Sequence, residues 1–325
     1  SENTIMKIGF AGRFEFVASG GARGEVKLAE MNNNITNAGL DRIGVGSIAD
    51  WCRVGSGNRP AVDGDTALVT QTAETNSTLT WTTFYEPGPP PRSAVRRTYR
   101  FAKGAAAGTH SEVGIGWKET IAGQTVNGLW SRALIKDENG DPLSITVLSD
   151  EVLDVIYTLY MYLDLTDDVK QFVYKGVNRK ATTRFSDVRQ HGFMYSIMTL
   201  GLPAGTSGGW SQCWFGGGTS VLGDVYTPPT MRPGGNNNGV YGKTMAIYVN
   251  GSHERECTWT IPDTSYTSDN KIGVIVVTPH HSQGSSGGTL DVKTQFEPPL
   301  EKDYTEEFTY TGKISWGRYT PPAGP

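Results

Sequence analysis

Hydrophobic and polar positions alternate in short runs along nearly the whole chain, the period-two signature of half-buried β-strands. At the start the alternation is carried by Ile8, Phe10, Phe14 and Phe16. Glycines at Gly9 and Gly12 within it predict a strand pair that turns there. Gly20, Gly21 and Gly24 turn the chain into a second alternating strand, Glu25 to Ala29. Thr78 to Tyr85 is made of β-branched and aromatic residues and predicts a strand ending at the prolines of Pro87 to Pro91. Further strands are predicted at Arg97 to Phe101, Glu112 to Trp117, Leu129 to Ile135 and Leu143 to Leu148, the last two joined by a turn at Asp137 to Pro142. In the second half the strands are Phe172 to Lys175, Lys180 to Phe185, Met194 to Leu200, Met245 to Val249, Thr258 to Ile261, Gly273 to Val277, Thr289 to Phe296 and Glu307 to Trp316.

Two segments carry a helical pattern. Thr36 or Asn37 caps a short helix through Leu40 and Ile43. In Glu151 to Leu165, residues Leu153, Ile156, Tyr157, Tyr160 and Leu163 would line a helix face. The segment is nevertheless full of Val, Ile, Tyr and Thr and contains no Ala, Lys or Gln, so it predicts a long buried strand.

Composition agrees with the pattern. The 325 residues include 41 Gly and 17 Pro with no G-x-y period, which calls for many turns between short strands. The texture changes at Thr166, and Gly216 to Asn238 is dominated by loop residues. The fold expected is therefore all-β: two β-sandwich-like domains, residues 1–165 and 166–325, with long Gly/Pro-rich loops and little helix.

Charged residues are 19% and the net charge is −4, so nucleic acid is not an expected partner. The densest basic cluster, Arg92, Arg96, Arg97 and Arg100, reads as a solvated edge strand whose charges discourage pairing. No run approaches about 18 apolar residues, so membrane insertion is not expected. The start, Ser1 to Phe16, has no basic region followed by an apolar one, and the expectation is synthesis in a cytoplasm. Cys52, Cys213 and Cys257 lie far apart without a CxxC pair, which predicts reduced, buried thiols.

No catalytic, cofactor-binding or metal-ligating set is expected, and the chain reads as a non-enzyme. His280-His281 is the only adjacent histidine pair, and on a strand end its members point to opposite faces. Gly242-Lys243-Thr244 ends like a phosphate loop, but Asn237 stands where that motif needs glycine. Acid pairs such as Asp150-Glu151 and Asp167-Asp168 leave open a glycosidase-type arrangement, which needs two carboxylates across a sugar cleft. The candidate contact residues are aromatic: Trp210, Trp214 and Phe215 in a Gly-rich loop, with Tyr226 and Tyr241 nearby. Exposed, they would bind a protein or sugar; buried, they would anchor the loop.

Several short motifs in the first half recur in order: Asn34-Ile35-Thr36-Asn37-Ala38-Gly39-Leu40-Asp41, Val54 to Pro60 and Asp65 to Leu68. Arg97 to Phe101, Glu112 to Trp117, Ser131 to Ile135 and Ser144 to Leu148 follow. In these pieces residues 1–165 resemble structural proteins of tailed-bacteriophage virions, of the tail, fibre or baseplate type. The resemblance implies a β-rich, homo-oligomeric virion part that binds other virion proteins and copies of itself. It implies a tail-associated place (tail tip, baseplate, collar or fibre), with residues 1–165 docking to the particle. Residues 166–325 would project and take part in host attachment through a surface glycan or protein. The alternatives are a head decoration or head-fibre protein and, in another class, a tail-spike-like enzyme that degrades polysaccharide.

Overall fold

The computed structural model describes residues 4–202, 209–232, 242–265, 267–281 and 288–320. The strands of the first half are β1 (Thr4–Gly21), β2 (Gly24–Asn32), β3 (Asn34–Ile35), β4 (Trp51–Gly55), β5 (Gln71–Thr75), β6 (Thr78–Glu86) and β7 (Arg92–Phe101). They continue as β8 (Gly108–His110), β9 (Glu112–Gly116), β10 (Lys118–Ile121), β11 (Gln124–Asn127), β12 (Ser131–Leu134), β13 (Ile145–Val147) and β14 (Val152–Leu163). The second half adds β15 (Asp168–Tyr174), β16 (Val177–Ser186), β17 (Gly209–Gly216), β18 (Gly242–Met245), β19 (Glu254–Ile261), β20 (Lys271–His281), β21 (Thr289–Glu301) and β22 (Phe308–Arg318). Among the described residues two short helices interrupt them, α1 (Asn37–Ile43) and α2 (Met194–Leu200). The protein is all-β, as its alternating pattern predicts.

Three sheets carry the architecture. The largest runs β18-β19-β22-β1-β14-β7-β6, with β2 also on β1. A second, β3-β12-β9-β4-β5, comes from the first half, and a third, β15-β16-β21-β20-β17, from the second. The first sheet ignores the boundary expected near residue 166. In it β1 pairs antiparallel with β14 and parallel with β22, matching Thr4 to Gly312 and Phe10 to Arg318. One buried cluster runs from Phe10 and Trp130 through Val95 and Ile197 to Trp259 and Trp316. The division at residue 165 is therefore not a division of the sheet or of the core.

β1 corrects the expected strand pair: it is one strand of 18 residues. Met6, Ile8, Phe10, Phe14, Phe16 and Ala18 are all buried, and the alternation passes through Gly12 without losing phase. Gly9 and Gly12 are there for space and make no turn. A Cβ on Gly12 would run into the Tyr157 hydroxyl and the Asn33 amide, and one on Gly9 would sit 3.1 Å from Tyr319. Glu151 to Leu165 does form the long strand, β14, and α1 begins at Thr36, whose hydroxyl accepts from Gly39 N–H at 2.8 Å.

Three further expectations are overturned. Met194 to Leu200 is α2; Met194, Ile197 and Met198 are its buried apolar positions, an i, i+3, i+4 stripe laid over β6 and β7. The arginines of β7 do not lie on an edge, because β7 sits between β14 and β6. Arg100 makes a two-pronged pair with Asp154 at 2.8 and 2.7 Å, and Arg97 is buried over the rings of Trp81 and Tyr99, each 4.5 Å away. Strand structure expected through Val249 stops at Met245, beyond which Ile247 is 90% exposed while Tyr248 turns back to donate to Asp41 at 2.7 Å. The cysteines follow the sequence reading, since all three are unbridged and buried.

A buried lysine pins the long loop between β17 and β18. Lys293 of β21 has no exposure, and its ammonium donates to the carbonyls of Asp224 and Thr227, the latter at 2.7 Å. Burial, with the Arg184 guanidinium nearby, pushes its pKa down from 10.5 to about 8. Between those values the unfolded chain keeps a proton that the folded protein has lost, so stability rises with pH across that window. The slope approaches ~1.4 kcal/mol per pH unit. Comparing urea midpoints of the wild type and Lys293→Met from pH 8 to 10.5 checks this, since the variant is expected to lack the rise. Equal slopes would place the lysine's proton outside the folding equilibrium.

Candidate interaction site

The aromatic residues singled out by sequence do not form one surface. Phe215 is 1% exposed and belongs to the main core. Trp214 is half-buried on the small cluster of Leu222, Val274 and Val276. Tyr226 is 38% exposed, with the Arg189 guanidinium 5.8 Å from its ring and donating to its carbonyl at 2.7 Å. Trp210 falls in β17, but its side chain, like all of Tyr241, lies outside the described residues. Of the residues whose side chains are described, Tyr226 alone offers a ring to solvent; Trp214 and Phe215 anchor their strand.

The structure assembles aromatics elsewhere. A cleft of about 560 Å³ opens between the β15-β16-β21 face and the start of β22. Alternation on β15 turns Lys170, Phe172 and Tyr174 toward it, and β22 contributes Phe308 and Tyr310. Phe172 stands edge-on to Phe296 at 6.1 Å, and Tyr174 edge-on to Phe308 at 6.2 Å. A chain of hydroxyls runs beneath it, Thr183 to Thr294 at 2.7 Å and Thr294 to Tyr310 at 2.8 Å. Burial, then the Glu306 carboxylate, raises the Tyr174 pKa, so its hydroxyl stays protonated and donates to the Glu301 carbonyl at 3.2 Å. Lys170 and Glu307 are also among the lining residues and give it both signs of charge. The arrangement suits an apolar or aromatic group from a partner. Sequence reading missed it because its halves lie on strands far apart in the chain; the available signal was alternating aromatics on both.

Several motifs of the first half converge on a different feature, a buried clasp of charges. Arg132 and Glu112 have fully buried side chains and pair at 2.8 Å, while Arg132 also reaches Asp65 at 3.0 Å. Glu112 accepts backbone N–H groups from Gly57, Val69 and Thr70 at 3.0, 3.0 and 2.7 Å, and Arg132 donates to the Arg59 carbonyl at 2.6 Å. Three separate motifs thus tie down the loop from Ser56 to Thr70. Second-half residues tie the helix motif too. Trp316 Nε1 donates to Leu40 O at 2.8 Å, Arg318 to Ile35 O at 2.6 Å and Gly251 N to Asp41 at 2.6 Å. Outside this rigid part, β10 and β11 form a two-stranded arm of their own, with Ile121 55% and Val126 40% exposed.

No family model matches the chain, and no curated protein or solved structure matches it either.

Proposed function

We propose that the protein is a structural component of a tailed-phage virion, tail-associated, that assembles through contacts with neighbouring proteins and with copies of itself. The observation that carries this reading is the convergence, on one clasp, of motifs that carry the resemblance. The side chains of Glu112, Arg132 and Asp65 are buried and partnered, and they fix the backbone of a largely exposed loop, as expected of a scaffold whose shape is set by its buried charges. Contact surface lies around that scaffold: the β10–β11 arm and the aromatic cleft. Arm and cleft belong to opposite halves of the chain, which fits docking to the particle by residues 1–165 and contact with a further component or host surface by residues 166–325.

Composition of purified particles tests the reading. The chain is expected in intact virions at a fixed copy number, and antibody labelling seen by electron microscopy is expected at the tail. Label on the head would move the protein to the decoration or head-fibre class. Complete, infectious particles without the chain would overturn the proposal, as would release of oligosaccharide from host glycans by the purified protein.

A further inference from the structure

β15 is the outermost strand of its sheet, with β16 its only paired neighbour among the described residues. Edge strands in stable monomers are usually blunted by proline, a bulge or outward charges. β15 has neither proline nor bulge: its ladder with β16 runs from Asp168 to Tyr174 without a register shift, and its charges are the opposite pair Asp168 and Lys170. Its outward face carries two exposed valines, Val169 at 52% and Val173 at 65%, with Gln171 between them. Its charged cleft-side residue, Lys170, lies 3.8 Å from Asp168, so the strand carries no net charge to repel another.

We infer that β15 is a self-pairing seam, joining two copies of this chain antiparallel about Gln171. The inference rests on the assembly reading above and names one of its partners as a second copy. The strand has seven residues, and a two-fold axis through its midpoint, Gln171, is the arrangement that pairs all of them. In that register Val169 of one copy faces Val173 of the other on the outer side, and Gln171 faces Gln171, where two amides can exchange hydrogen bonds. On the cleft side Lys170 meets the ring of Phe172, a favourable cation–aromatic pair, and Asp168 stands opposite Tyr174. No like charges are opposed. Sliding the axis to Lys170 would set lysine against lysine, so the sequence favours one register. The seam extends each five-stranded sheet into a continuous ten-stranded one and lays the two aromatic clefts side by side. A single strand pair is smaller than a standard interface of ~800 Å² per partner, so the dimer is expected to be reversible and concentration-dependent.

The two-fold axis sets a sharp test on the purified full chain. Directly opposed residues have Cα atoms about 4.5–5.5 Å apart, within reach of a disulfide. Gln171→Cys is therefore expected to give a covalent dimer under mild oxidation. Val169→Cys is expected to give little, because its two copies would stand about 14 Å apart along the seam. The native cysteines are all buried and do not compete. Val173→Lys alters an exposed side chain and is expected to leave the thermal transition in place while weakening dimerisation at least tenfold in sedimentation. A wild-type chain that stays monomeric at high concentration overturns the inference, as does Gln171→Cys cross-linking no faster than Val169→Cys. A strand from a different protein on this edge would produce that same overturning result. Virion membership is read separately from particle composition, so either proposal can fail alone.

Discussion

Replacing Arg132 with methionine is expected to destabilise the protein by about 3–5 kcal/mol, the range for removing one partner of a buried ion pair. The guanidinium is completely enclosed and serves Glu112, Asp65 and the carbonyls of Arg59 and Pro60. Methionine fills much of the volume but returns none of those hydrogen bonds, and two buried carboxylates are left beside each other. The damage should extend to the loop from Ser56 to Thr70, whose backbone hangs on Glu112. Denaturant unfolding measures the loss, and hydrogen exchange at Gly57, Val69 and Thr70 should report the loosened loop. A cost below about 1 kcal/mol would mean the clasp adds little to the fold, and the account of the motifs would fail with it. Acid supplies a second readout. Burial alone would raise the Glu112 and Asp65 pKa values, but backbone N–H groups and Arg132, with Arg59 at Asp65, outweigh it and hold them below 4.5 and 3.8. A depressed folded pKa gives stability that is present above the unfolded value and is lost as pH falls through the folded one. The wild type is therefore expected to lose stability below about pH 4.5 more steeply than Arg132→Met, in which those carboxyls are no longer held low.

How far the sequence disclosed this molecule depended on whether a signal was local. The alternation of β1 and the strand formers of β14 were readable because period-two patterning acts within each strand. The helix cap at Thr36 was readable for the same reason, since Thr36 bonds to a residue three positions on. Errors arose where the same residue type answers two demands. Glycine marks a turn in most places, but Gly12 is needed because Tyr157, from a strand far along the chain, packs against its backbone. An apolar run of seven residues serves strand or helix alike, and α2 was settled by the face that β6 and β7 offered it. Charge misled in the same way. The arginines of β7 look solvated until Asp154, Trp81 and Ala49 are placed around them by pairing across the sheet. The cleft was least legible, because Phe172 and Phe308 are ordinary alternating aromatics in isolation and become a site only when β15 and β22 are brought together.

A fragment ending at residue 165 is expected not to fold, although the sequence texture suggests a boundary there. Without β22, β1 loses its parallel partner along Thr4 to Phe10, leaving an unpaired edge in the middle of the largest sheet. Without α2, the cover over β6 and β7 is gone, together with the bond from Ile48 N–H to Met198 O at 3.1 Å. Without Trp316, which is 5% exposed, Leu40 loses the donor to its carbonyl and α1 loses an indole packed along it. Each loss exposes core surface that a single cluster now holds together. The fragment should therefore lack near-ultraviolet circular dichroism, bind hydrophobic dye and melt without a cooperative transition, whereas the full chain should melt in one. Trp316→Ala in the full chain isolates one contact of this seam and is expected to cost about 3–5 kcal/mol by denaturant unfolding, the usual range for deleting a buried tryptophan. A fragment 1–165 with its own cooperative transition would restore the boundary and make β22 an accessory to a self-sufficient domain. The expected result instead makes the two halves one folding unit, in which the second half completes the largest sheet of the first.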